Sequence, residues 1–263
     1  MYAFWKMEWK AAGKSLLLWS AVVGGIGLIC ILLYQSMEGS MAGMAENFAS
    51  MGAFSEAFGM NTLSIATLQG YFATEIGTIH ALGSSMFAAT LATVILSKEE
   101  DGHTAEFTFT MPVAREKIII AKFAAVIASL VLFTIFCAGC YQIGFLALGE
   151  KEITGEFLRF MALQLMMNTE IASICFLISA VSKKNRAGIG ISIPVILYVY
   201  DLMARVVPDL EDVKFISPFS YANATEIFSR EQPDRGAFVL GVLVIAALTV
   251  ISGRIYAKRD LAS

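Results

Sequence analysis

The chain has 263 residues, 57% of them hydrophobic and 16% charged, with a formal net charge of −3 and a mean hydropathy of +0.69. A water-soluble domain of this length does not carry so large an apolar excess, so composition excludes a soluble enzyme or carrier. The small negative charge gives no basis for a nucleic-acid partner. The expected fold class is an all-α polytopic membrane protein forming a single transmembrane domain over 1–263.

In chain order, residues 1–14 (MYAFWKMEWKAAGK) place Tyr2, Trp5 and Trp9, and also Lys6, Lys10 and Lys14, at helical spacing. That pattern predicts an amphipathic interfacial helix, with Trp at the lipid headgroups and Lys in the anionic layer. A first span follows at 15–34. Basic residues before an apolar run raise the question of a signal peptide, but no cleavage pattern follows. Ile29 stands before Cys30 where a lipoprotein signal wants a small residue, so the run is read as an anchored span.

Residues 35–75 are too interrupted to span and too apolar for a solvated loop. Short helices dipping into the outer interface are expected there. Further spans are expected near 76–96, 118–148, 157–181, 188–207 and 237–257, six in all, since about 20 apolar residues at 1.5 Å each cross ~30 Å of hydrocarbon. The second extracellular segment, 208–236, has prolines and mixed polarity and is read as a partly re-entrant hairpin.

Most of the 19 Lys and Arg fall on the side of the termini: Lys6, Lys10, Lys14, Lys98, Arg115, Lys117, Lys122, Lys183, Lys184, Arg186, Arg254, Lys258 and Arg259. Positive loops stay inside, so both termini are expected to be cytoplasmic in a multi-pass cell-membrane protein of bacterial type, with lipid as a partner.

Residues 97–122 (SKEEDGHTAEFTFTMPVAREKIIIAK) form the one long charged island between two apolar runs. A short helix carrying Glu99, Glu100, Asp101 and Glu106 offers charge to a soluble partner while staying covalently continuous with spans two and three. Pro112 suits the first turn of the third helix, where its missing N–H costs nothing. The plainer reading is a solvated loop with snorkelling lysines.

Glu99, Gly102, Glu106, Pro112, Val113, Arg115, Ile118 and Lys122 satisfy the pattern E-x-x-G-x-x-x-E-x-x-x-x-x-P-V-x-R-x-x-I-x-x-x-K. This resembles the segment between spans two and three of ABC type 2 exporter permeases. SPFSY at 217–221 and YAKRDL at 256–261 resemble the same family, so the likeness covers essentially the whole chain. Where the family often has Gly-Thr before its second acid, this chain reads Gly102-His103-Thr104.

The resemblance implies a permease that pairs with a second permease subunit and binds two copies of a separate ABC ATPase subunit, which holds the ATP and Mg. It implies that 97–117 is a coupling segment, with Lys98, Glu99, Glu100, Asp101, Gly102, His103, Thr104, Glu106, Pro112 and Arg115 contacting the ATPase. The expected activity is export of an amphipathic or lipophilic substrate such as a peptide, antibiotic or lipid. A membrane scaffold or sensor built on the same bundle is the alternative.

No enzyme motif competes. A phosphate loop, G-x-x-x-x-G-K-[ST], is approached at Gly13, Lys14 and Ser15, but Glu8 replaces its first glycine. His80 and Ser84 at i, i+4 form a poor protease dyad, since nucleophile and base usually come from different elements. Cys30, Cys137, Cys140 and Cys175 lie in apolar runs and read as small hydrophobes, with no metal or redox role. Ionisable groups within spans are costly, so Glu170, Asp201 and Arg205 are candidates for a substrate path or interface. Asp201 and Arg205, at i, i+4, are expected to pair.

Overall fold

The computed structural model describes residues 2–102, 115–150, 155–230 and 234–258, and for residues 2–8 and 42 the backbone alone. Among the described residues the secondary structure is entirely helical. The long elements are α1 (Tyr2–Ala49), α4 (Gly77–Val94), α6 (Arg115–Ala147), α7 (Gly155–Val181), α8 (Ala187–Val206) and α11 (Arg235–Lys258). Between them lie the short helices α2 (Ala53–Phe58), α3 (Leu68–Tyr71), α5 (Lys98–Asp101), α9 (Pro208–Glu211) and α10 (Ala224–Phe228).

The first helix corrects the expectation of a separate interfacial helix at 1–14. Residues 2–49 form one continuous helix of 48 residues, about 72 Å long at 1.5 Å per residue. The reason is local: Lys14 and Ser15 are not helix breakers, the run has no proline, and 35–49 is rich in Ala, Met and Glu. The expected outer segment 35–75 is therefore helical over its first third. Short elements follow, with α2 ended by Gly59 at φ +67, a conformation that suits a residue without a Cβ.

Among the described residues five helices are long and apolar enough to cross a bilayer: Trp9–Met41, Arg115–Ala147, Gly155–Val181, Ala187–Val206 and Arg235–Lys258. The run expected as the second span is helical as α4 but is not among those five. Its buried His80, Ser84, Ser85 and Thr93 lower its hydropathy, and the hydroxyls bond back to their own helix, as Thr93 Oγ1 does to the Ala89 carbonyl at 2.7 Å.

α4 is the central element, packed by α1, α6, α7 and α8. Close approach explains its glycine neighbours: a methyl on Gly190 of α8 would collide with Thr93, and one on Gly83 with Val23 of α1. A π-helical turn, Phe72–Ile76, leads into α4. Phe72 is fully buried, its ring centroid within 5.9 Å of those of Tyr141, Phe145, Phe157, Phe160 and Phe228. Aromatic contacts of this kind contribute about 0.5–1.5 kcal/mol each beyond the area they bury. They tie α4, α6, α7 and α10 together at one end of the bundle.

The outward faces of α1, α6, α8 and α11 carry exposed Leu17, Ile135, Ile196 and Leu243. Apolar surface of this extent suits lipid.

Candidate functional site

At the end of the bundle that carries the charged island, α4 leaves its last carbonyls without intrahelical partners. The chain turns at 95–97, where Ile95, Leu96 and Ser97 are buried, so those groups need partners from elsewhere. Three helices supply them. Lys122 Nζ of α6 donates to the Ile95 carbonyl at 2.8 Å, and the Tyr256 hydroxyl of α11 donates to the Leu96 carbonyl at 3.2 Å. Ser179 Oγ of α7 accepts the Leu96 and Ser97 amides at 2.9 and 3.2 Å.

A fully buried ammonium also requires an anion. Lys122 is 0% exposed, and Glu99 of α5, 4% exposed, forms the ion pair with it. The Glu99 carboxylate thus faces inward, where the sequence reading had aimed it at a partner.

The remaining island residues divide by exposure. Glu100 is buried, Lys98 half-buried, and Asp101 and Gly102 are exposed at the tip. Arg115 opens α6 on the surface and donates to the Ala257 carbonyl at 3.4 Å. His103, Thr104, Glu106 and Pro112 lie outside the described residues.

The opposite end gathers the three intramembrane candidates around the segment 217–228. Arg205 donates from Nε to Asp201 Oδ2 at 2.9 Å and from Nη1 to Glu226 Oε1 at 2.7 Å. It links α8 to α10, whose start is capped by Asn223 Oδ1 accepting the Glu226 amide at 3.1 Å. Glu170 of α7 accepts from the Tyr221 hydroxyl at 2.8 Å, and Gln164 Nε2 donates to the Ala222 carbonyl at 2.8 Å. Burial, together with the adjacent Glu170 carboxylate, pushes the Tyr221 hydroxyl well above its ordinary pKa, so Tyr221 stays a proton donor. Gly241 of α11 lies against Glu170 so closely that a methyl there would collide with the carboxylate.

These bonds bring Asp201 and Arg205 together but give Glu170 a separate partner. A narrow cleft among α4, α7, α8 and 219–225 is lined by Thr78, Gln164, Tyr198, Asp201, Asn223 and Thr225.

Near the centre, His80 Nδ1 lies 3.0 Å from the Tyr141 hydroxyl, while Ser84 Oγ donates to Asn168 Oδ1 at 3.2 Å. The two side chains therefore serve different helices. Cys30, Cys137, Cys140 and Cys175 are free thiols, and among the described residues no three His, Cys, Asp or Glu converge on a metal-sized site.

Sequence reasoning missed Lys122, Ser179, Tyr256, Tyr221 and Glu226 as site residues. Lys122 carries two signals, as the closing residue of the island pattern and as a lone charge in IIIAKFAAVIA, but neither says that it is interior. Ser179 and Glu226 carried none, since their partners come from distant elements.

No curated protein matches the chain. A family model described as ABC-2 family transporter protein matches residues 3–261, nearly the whole chain. With the apolar helices described above, that match shows the chain to belong to the ABC-2 transporter family, as a membrane permease subunit of an ABC transporter.

Proposed function

We propose that this subunit is an exporter permease that moves an amphipathic or lipophilic substrate outward, using ATP hydrolysed with Mg on a separate subunit. Permeases of this family work with an ATPase subunit. The finer reading is a pair of permease chains served by two ATPase copies, in a cell membrane, with both termini and the island cytoplasmic because Lys and Arg collect on that side. In this reading α4 is a sixth span: its 18 residues reach about 27 Å, close to the ~30 Å of hydrocarbon, and its polar side chains face neighbouring helices.

The observation that carries the reading is the two-sided geometry of the segment at 95–102. One side is bonded into α6, α7 and α11, while Asp101 and Gly102 are exposed. A soluble ATPase docking on 98–106 and Arg115 would thereby push on a tip fixed to the span bundle. Glu170, Asp201 and Arg205 are spent on bonds within the chain. We assign them to a latch over the outer end, and the apolar character of the span surfaces favours an amphipathic cargo.

The test is purification from the native membrane. The reading expects an ATPase bearing a phosphate loop to accompany the chain, with vanadate-sensitive hydrolysis stimulated by amphipathic peptides or lipids. Asp101→Arg should weaken its retention by about tenfold or more. If the folded chain brings no ATPase, the transporter reading fails; if hydrolysis ignores every amphiphile tried, the cargo assignment fails.

A further inference from the structure

The buried ion pair points past docking to transmission, and this step rests on the reading of 97–117 as the coupling segment. We propose that Lys122 is a positioning residue that locks the turn at 95–97, α5 and the adjoining part of α6 into one rigid joint. Displacement of a docked partner then enters α4 and α6 instead of being absorbed by the turn.

Three observations carry the step. First, α5 has only four residues, too short to hold itself, so its rigidity must come from what it touches. Second, Lys122 reaches both sides of the turn, the Ile95 carbonyl at the end of α4 and the Glu99 carboxylate in α5, and fastens both to α6. Third, both charged groups are almost entirely buried. Pulling Glu99 away from Lys122 would separate two charges inside the bundle, which is costly at that burial, so the joint resists opening during the working cycle. Ser179 and Tyr256 hold the same turn from α7 and α11 through neutral bonds, which can lengthen or exchange at smaller cost.

Within the docking segment Glu99 therefore acts through Lys122, its carboxylate held on the inner side of α5. Asp101, two residues further and exposed, has the docking position.

Hydrogen exchange on the purified complex with its accompanying ATPase tests this, comparing the nucleotide-free state with ATP plus vanadate. In the wild type the amides of 96–102 are expected to stay equally protected in both states, while the outer segment 217–228 changes its exchange. Lys122→Met should keep the ATPase bound, speed exchange at 96–102 by about tenfold or more, and abolish the nucleotide response at 217–228. A pair that merely stabilises the fold would leave that distant response intact, and such a result would overturn the proposal. Loss of protection at 96–102 in the wild type on vanadate trapping would overturn it too, and this arm needs no variant to fold. Absence of any accompanying ATPase would instead remove the coupling reading on which the joint depends.

Discussion

At the island end, Lys122 is 0% exposed against a Glu99 carboxylate that is itself buried, and it also donates to a backbone carbonyl. At the opposite end, Arg205 is shared between Asp201 and Glu226, with side-chain exposures of 11% for Arg205 and 21% for Glu226. The difference lies in what each contact leaves behind on breaking. Opening the Lys122 pair separates two charges that are both buried, whereas Arg205 and Glu226 are partly exposed already.

Substitutions can break or sharpen that contrast, read as shifts in the unfolding of the detergent-solubilised chain. The largest effect is expected for Lys122→Ala, which leaves the Glu99 carboxylate and the Ile95 carbonyl buried without their cation, at about 3–5 kcal/mol. The double variant Glu99→Leu, Lys122→Leu should recover most of that loss, because an apolar pair of similar volume needs no counter-ion. If the double variant is no better than the single one, the cost does not lie in the stranded charge. Arg205→Ala comes next, at about 2–3 kcal/mol, since Asp201 stays buried but Glu226 can rehydrate. A cost equal to that of Lys122→Ala would erase the contrast between the two ends.

Ser179→Ala removes the acceptor of two buried amides and should cost about 2 kcal/mol. Tyr221→Phe takes one donor from Glu170 and should cost about 1–2 kcal/mol. Smallest of all is Arg230→Ala. That side chain meets Glu156 Oε1 at 3.0 Å but is 81% exposed, so unfolding should not move measurably.

Much of the architecture is legible in the sequence because long apolar runs dictate helices in a bilayer, and each such run is helical over most of its length. The pairing of Asp201 with Arg205 is legible for the same kind of reason, since i, i+4 spacing on one helix places the two side chains together. What escaped the reading depends on other elements. Lys122 follows three isoleucines and resembles a lysine snorkelling at a span boundary; only the turn packed over it makes it interior. Glu226 reaches Arg205 from an irregular segment whose path no periodicity encodes. The unbroken α1 was misread for want of a stop signal, because an interfacial aromatic and lysine pattern looks the same whether or not the helix continues beyond it. The run 76–96 reads as a span in the sequence, and the His80 and hydroxyl polarity that keeps α4 out of the apolar five is met by its central position.

The central claim is that the exposed tip of the island meets an ATPase while the far end faces away from it. Site-specific photo-cross-linking in cells tests this most directly, with a photoreactive residue placed at Asp101 and, separately, at Asp209, both exposed. The account predicts capture of an ATP-binding-cassette subunit from position 101 and none from position 209. Capture from 209, or none from 101 while the chain is folded in the membrane, would contradict it.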